Sequence, residues 1–230
     1  SPQADAAVRG LTDVDASSTL DIESGGIAFW VAALRETFEE AGLLLARPKG
    51  KVELIDLSAA PIEKRFQRYR DQINAGSLDF VEAMRTEDLE LDGTDVHYVA
   101  RWVTPLGPPR RYDTRFFVTA MPNGQTPLHD NDEAVHDEWI RPSDALKRNE
   151  TDEMLMMTPT ISMLQRLARF SNVQEAMASA ANATQTDDEA VRIRYGVEGP
   201  NRITWPEDDD YEDSDPRAED GTVRWPSPIG

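Results

Sequence analysis

Between Ile27 and Ala41 the apolar residues recur at helical spacing. At about 100° per residue, Ile27, Val31, Leu34, Phe38 and Ala41 fall on one side. Gly42 follows at once and is a stop signal, so the pattern predicts one continuous helix over residues 27 to 41. Leu43 to Leu45 and Val52 to Leu57 read as short buried strands or extended segments. Pro61 opens a charged helix through about Ile73, and a shorter helix is expected from Ser77 to about Arg85. His97 to Val103 and Thr114 to Met121 are rich in β-branched and aromatic residues and predict strands. Glu133 to Ile140 is a weaker strand pattern, and Ser143 to Arg148 a short helix. Thr160 and Ser171 stand where N-caps of two further helices would be, and Val191 to Tyr195 reads as a strand. From Trp205 onward the acidic, proline-containing composition reads as a solvated tail.

The polar side of the first helix is harder to account for than its apolar side. Glu36, Glu39 and Glu40 share one face, and like charges at i, i+3 and i+4 repel. A divalent cation would relieve that repulsion, because hard cations prefer oxygen ligands. The plain alternative is a charged, solvated helix face with no ligand.

The segment Arg35-Glu36-Thr37-Phe38-Glu39-Glu40-Ala41-Gly42-Leu43 resembles the second half of the Nudix box, with Thr37 at a position that is usually bulky and apolar. The first half of the box does not follow: Ile27 stands where it would have glutamate and Asp21 where it would have glycine. One Nudix branch, which includes the peroxisomal coenzyme A diphosphatases and bacterial relatives, carries an insertion inside its box. Residues 1 to 26, rich in Asp, Ser and Ala and ending in Gly25-Gly26, look like such an insertion. Arg101-Trp102-Val103-Thr104-Pro105, then Arg110-Arg111-Tyr112-Asp113-Thr114-Arg115-Phe116-Phe117, resemble further blocks of that branch. So does Glu133 followed by Trp139, Pro142 and Ala145-Leu146.

The resemblance implies an α/β fold, a Nudix-type α/β/α sandwich with a mixed sheet, here expected to lack its first strands and to carry extra C-terminal helices. It divides the chain into a polar segment at 1–26, a Nudix domain with helices at 27–205 and an acidic flexible tail at 206–230. It implies that Glu39 and Glu40 ligate Mg²⁺ or Mn²⁺, with Glu36 as a further ligand or as the residue orienting the attacking water. Arg35 would be structural, fixing a neighbouring carboxylate. Glu133 lies where the family often supplies one more carboxylate, as ligand or general base; a surface glutamate is the equal alternative. Arg110, Arg111 and Arg115 form the tight basic cluster of the chain, and arginine forks suit phosphate oxygens. Arg115 sits within an apolar strand, where pairing with an acid such as Asp113 is an equal expectation.

Composition narrows the partner. The 230 residues carry a net charge of −19, which argues against a nucleic-acid backbone as ligand. Nine acids and one arginine between Glu207 and Asp220 contribute −8 of it. An anionic substrate would therefore meet a local basic patch and metal, not a favourable global field. No apolar run reaches the length of a membrane span and no signal-peptide pattern is visible, so the cytoplasm is the default compartment. The chain has no cysteine, which excludes thiol chemistry. His97, His129 and His136 show no ligand spacing. The acids from Asp208 to Glu219 imitate a calcium loop but place Asp213 where the turn needs glycine. Trp102 and Trp139 are expected in the core.

The function expected is a metal-dependent hydrolase of a diphosphate linked to another moiety, coenzyme A or another nucleotide-containing diphosphate. A catalytically silent Nudix-type binding module is the alternative, motivated by the absent first half of the box. The partner is a small-molecule diphosphate; a homodimer is compatible with the sequence. The chain alone is expected to be weak or inactive beside a version extended upstream.

Overall fold

The computed structural model describes residues 8–104, 110–128, 138–194, 202–214 and 219–228. They form two compact units, Ser1–Val96 with Thr119–Glu138, and His97–Val118 with Trp139–Gly230. The expected single domain at 27–205 is thus divided between them.

The first unit runs β1 (Val8–Arg9), α1 (Asp13–Leu20), α2 (Ile27–Ala41), β2 (Ala46–Pro48), α3 (Ala60–Asn74), α4 (Phe80–Thr86) and β3 (Leu89–Asp92). β3 pairs with β1 in parallel and with β2 antiparallel, giving a small mixed sheet. The stripe read from the sequence is the buried face of α2: Ile27, Val31, Leu34 and Phe38 are all buried, and Phe38 lies 6.0 Å from the Phe80 ring of α4. Leu44 and Leu45 are buried as expected, but the strand lies just beyond them, at Ala46–Pro48. Residues 52–57 form no strand; Val52 is exposed, and Ile55 and Leu57 are tied by single backbone bonds to Ala46 and Gly124.

Residues 8–26 are more than the polar segment expected, since they hold a capped helix with a buried side. Thr12 and Asp15 form a reciprocal capping box that nucleates α1. Val8, Ala16 and Leu20 supply an apolar side that is buried. Part of its Asp and Ser content serves the start of α2, as described below.

The second unit holds β4 (His97–Val103), β5 (Asp113–Val118), α5 (Pro142–Glu150), α6 (Thr158–Leu167), α7 (Val173–Asn182), β6 (Glu189–Arg194), β7 (Arg202–Thr204) and β8 (Glu219–Val223). Its described strands form an antiparallel sheet in the order β5-β4-β8-β6-β7. The last strand in sequence is therefore the middle strand in space. Val99, Trp102, Val191, Trp205, Val223 and Trp225 make the core of this unit, with Ala176 and Ala180 of α7 packed on them.

Several expectations fail here. The stretch from Trp205 is not a solvated tail: Trp205 and Trp225 are each 3% exposed, Trp225 stacks on Phe170 at 5.3 Å, and its Nε1 donates to the Ala176 carbonyl. Its acids pair with arginines on β6 and β7 and with one that follows α6. Asp210 pairs with Arg194 at 2.7 Å and Arg202 at 2.9 Å, Glu212 with Arg192 at 3.4 Å, and Glu207 with Arg169. The N-caps also shift, to Met157 and Asn172 in place of Thr160 and Ser171. Pro159 pre-sets the first turn of α6, and the Asn172 side chain accepts from Glu175 N. Trp139 is 78% exposed, whereas Trp102 is buried as expected. Of the expected strand at 133–140, residues 133–137 lie outside the described residues and 138–140 form no strand.

Candidate active site: the carboxylate helix and what holds it

α2 starts where α1 hands it three hydrogen-bond acceptors. The Asp13 carboxylate accepts from Gly25 N and Ile27 N, each at 3.0 Å, and Ser17 Oγ accepts from Gly26 N at 2.9 Å. Asp13 and Ser17 are four residues apart on α1, so they face α2 together. The first amides of a helix have no partner within it, and these side chains supply one. The two backbone bonds, from Ile27 first and Gly25 second, hold the Asp13 carboxyl below its ordinary value. Gly26 makes the approach possible: a Cβ there would stand 2.2 Å from Ser17 N.

The other end is closed just as completely. Gly42 adopts φ +69°, and its N–H returns to the Phe38 carbonyl, while Leu43 N–H reaches Thr37. Leu128 N–H donates to the Ala41 carbonyl at 2.9 Å. The two carbonyls between them go to one side chain: Arg70 of α3 donates Nε to Glu39 O at 2.8 Å and Nη2 to Glu40 O at 2.7 Å. Beyond the helix, Gln125 donates to the Leu44 and Ile55 carbonyls and accepts from Leu44 N.

Between these ends the polar face carries the predicted carboxylates. Glu36 and Glu40 are exposed, and the Glu39 side chain is 18% exposed. Arg35 pairs with Glu36 and lies 3.9 Å from Glu39. Thr37 bends back to donate to the Ala33 carbonyl at 2.7 Å, which accommodates a hydroxyl at the usually apolar box position. Among the described residues no three His, Cys, Asp or Glu side chains converge into a ready-made cation cage. Carboxylate oxygens are nevertheless the donors that a hard divalent cation prefers. Such ions are commonly held by one or two carboxylates, with waters and substrate phosphates completing the shell.

The basic cluster belongs to the other unit. Arg110 and Arg111 are exposed, and Arg111 Nε donates to the Thr104 carbonyl at 2.7 Å. Of the two roles open to Arg115, the ion pair is present: its side chain is 8% exposed and Nη1 lies 3.2 Å from Asp113. Asp113 also takes a two-pronged contact from Arg101, both bonds 2.9 Å. That contact, with Arg115 adding to it, holds the Asp113 carboxyl below its ordinary range. Glu133, His129 and His136 lie outside the described residues.

Asp13, Ser17, Arg70 and Gln125 were not singled out in the sequence. Arg70 carried a signal, since it interrupts a stripe of Phe66 and Ile73 on α3 and is itself buried. Asp13 and Ser17, one turn apart ahead of Gly25-Gly26, carried another.

The glutamate-bearing α2 and the α/β build with a small mixed sheet agree with what the Nudix resemblance implies. The family model of the NUDT19 Nudix domain matches residues 5–167, and the chain belongs to that family. It is 30% identical over 155 residues to the human acyl-coenzyme A diphosphatase NUDT19, covering 65% of this chain and 41% of that protein. To the Xenopus laevis acyl-coenzyme A diphosphatase NUDT19 it is 26% identical over 170 residues, covering 70% of this chain and 44% of that one. The chain thus spans less than half the length of these curated relatives. The crystal structure of a NUDIX hydrolase from Alicyclobacillus acidocaldarius matches with a TM-score of 0.55 at 28% identity, covering 75% of this chain and 70% of that one. The branch resemblance and the α/β fold expected from the sequence are both borne out. No described helix is long and apolar enough to cross a membrane.

Proposed function

We propose that this chain carries the metal-binding and hydrolytic helix of an enzyme that cleaves a diphosphate linked to another moiety, with an acyl-coenzyme A as the leading substrate class. The observation that carries the proposal is α2 itself. Its apolar face is buried, both its ends are closed by side chains from α1 and α3, and its three glutamates are left on the polar face. The substrate class rests on the names of the curated relatives.

In this reading Glu39 and Glu40 hold the cation, and Glu36 either joins them or accepts the proton of the attacking water. A divalent cation, when bound, supplies screening of the diphosphate oxygens and acidifies a water. Arg35 restrains the rotamers of Glu36 and Glu39 and offsets their mutual repulsion. Arg110 and Arg111 are proposed as contacts for phosphate oxygens, since their forks suit two oxygens at once. Glu133 is proposed as a further carboxylate of the reaction, on family resemblance alone.

A silent binding module is the second reading. It is favoured by the absence, among the described residues, of three converging ligands. Incubation with Mg²⁺ and each of an acyl-coenzyme A, coenzyme A, NADH and ADP-ribose separates the two. Release of a phosphorylated product from at least one substrate is the expected result. Binding of these compounds with no product from any would sink the hydrolase reading and leave the module.

A further inference from the structure

Arg70 is 2% exposed, deep in the first unit, and it ends on the backbone of two residues that the proposed chemistry needs. A buried guanidinium is costly unless it is closely partnered. Here its Nε and Nη2 reach successive carbonyls, Glu39 and Glu40, from one rigid plane. Asn74, one turn further along α3, adds a longer bond to the Glu39 carbonyl at 3.4 Å. The neighbouring carbonyls, Thr37, Phe38 and Ala41, are satisfied by backbone N–H groups. Arg70 therefore closes the gap that the backbone of the last turn leaves open.

The location is also electrostatically special. α2 carries Glu39 and Glu40 in its last turn, where the helix dipole already presents negative charge. Three carboxylates crowded towards that end would tend to fray the turn. A cation seated behind the same turn opposes both the dipole and the carboxylate field. A lysine would supply the charge but not the planar, two-pronged geometry. A neutral amide would supply a donor but not the charge.

We propose that Arg70 is a positioning residue of the α2 site: by fixing the Glu39 and Glu40 carbonyls it sets where their carboxylates stand, and so how tightly the site holds a divalent cation. This rests on the reading of Glu39 and Glu40 as ligands and adds a residue outside the box, on a different helix. Nothing in the role requires Arg70 to touch substrate or metal.

The test compares the full chain with Arg70→Lys, Arg70→Gln and Ile73→Val. Ile73 is buried on the same helix and loses only a methylene, so it serves as a control for general loosening of α3. Two quantities are read: the affinity for Mn²⁺ by calorimetry, and amide hydrogen exchange along α2. The expected result is Mn²⁺ binding weakened about tenfold in both Arg70 variants. Faster exchange should be confined to the last turn of α2, with Ile73→Val close to the parent in both. Parent-like Mn²⁺ affinity in the Arg70 variants would overturn the proposal while leaving the site reading intact. So would equal weakening in Ile73→Val, since a loosened α3 would then suffice. No Mn²⁺ binding by the parent would overturn the site reading, and this proposal with it.

Discussion

Glu39 and Glu40 stand one residue apart on a helix turn whose backbone is bonded at every carbonyl from Thr37 to Ala41. Rigid placement of this kind makes ligand substitutions informative, because the scaffold should survive them. Glu39→Gln and Glu40→Gln are expected to weaken Mn²⁺ by at least tenfold each, read by calorimetry, with unfolding temperature close to the parent. Parent-like affinity in the double variant would refute the assignment. Gly26→Ala is expected to act oppositely. The new Cβ would collide with α1 backbone, costing about 1–3 kcal/mol of stability in denaturant unfolding. At this scale the sequence was legible where a residue acts through its own local chemistry, as Gly42 does in stopping α2. It was silent on residues that act through backbone across long separations, such as Arg70, 30 and 31 positions from its partners. A donor on a helix face says nothing in the sequence about which carbonyl it meets.

Among the elements, α2 and β4 have the bounds expected of them, Ile27–Ala41 and His97–Val103. Each combines a strong period with a clear stop, and tertiary context had little to override. α1 was missed because its apolar side is short, and its polar residues serve α2 instead of solvent. The Asp13 carboxylate gives this link a pH signature. Its folded value is depressed by the Ile27 and Gly25 amides, so its stabilisation is present above the ordinary carboxylate range. That contribution is lost as pH falls through the lowered folded value, below about pH 4. In acid titration, exchange in the first turn of α2 is expected to accelerate below that point, and Asp13→Asn to abolish the acid step. An unchanged profile in the variant would show that the clamp does not depend on the charge. β8 is the other element that composition disguised. Acids surrounding it suggested solvent, but Asp210 and Glu212 answer arginines on β6 and β7. Such pairs contribute little individually when exposed; the burial of Trp205, Val223 and Trp225 contributes more. Trp225→Ala is expected to cost about 3–5 kcal/mol in the unfolding of the second unit. A loss below 1 kcal/mol would restore the tail description.

The whole chain joins two units whose sequences were unequally readable. Family blocks run through both, and the match to the NUDT19 Nudix domain ends at residue 167. Beyond it, α7, β6, β7 and β8 complete the sheet that starts with β4 and β5. No motif announced that part, because it is held by core packing and by ion pairs between residues far apart in sequence. A net charge of −19 remains unfavourable for an anionic substrate at a distance, so binding should depend on local cations. On the proposed reading, the carboxylates of α2 serve diphosphate hydrolysis. The most direct test of that reading is the turnover of the best diphosphate substrate at saturating Mg²⁺, compared between the parent and Glu39→Gln. A fall on the order of a hundredfold or more is expected, since displacing a reacting group by about 1 Å already costs that much. Equal turnover by the two proteins would contradict it.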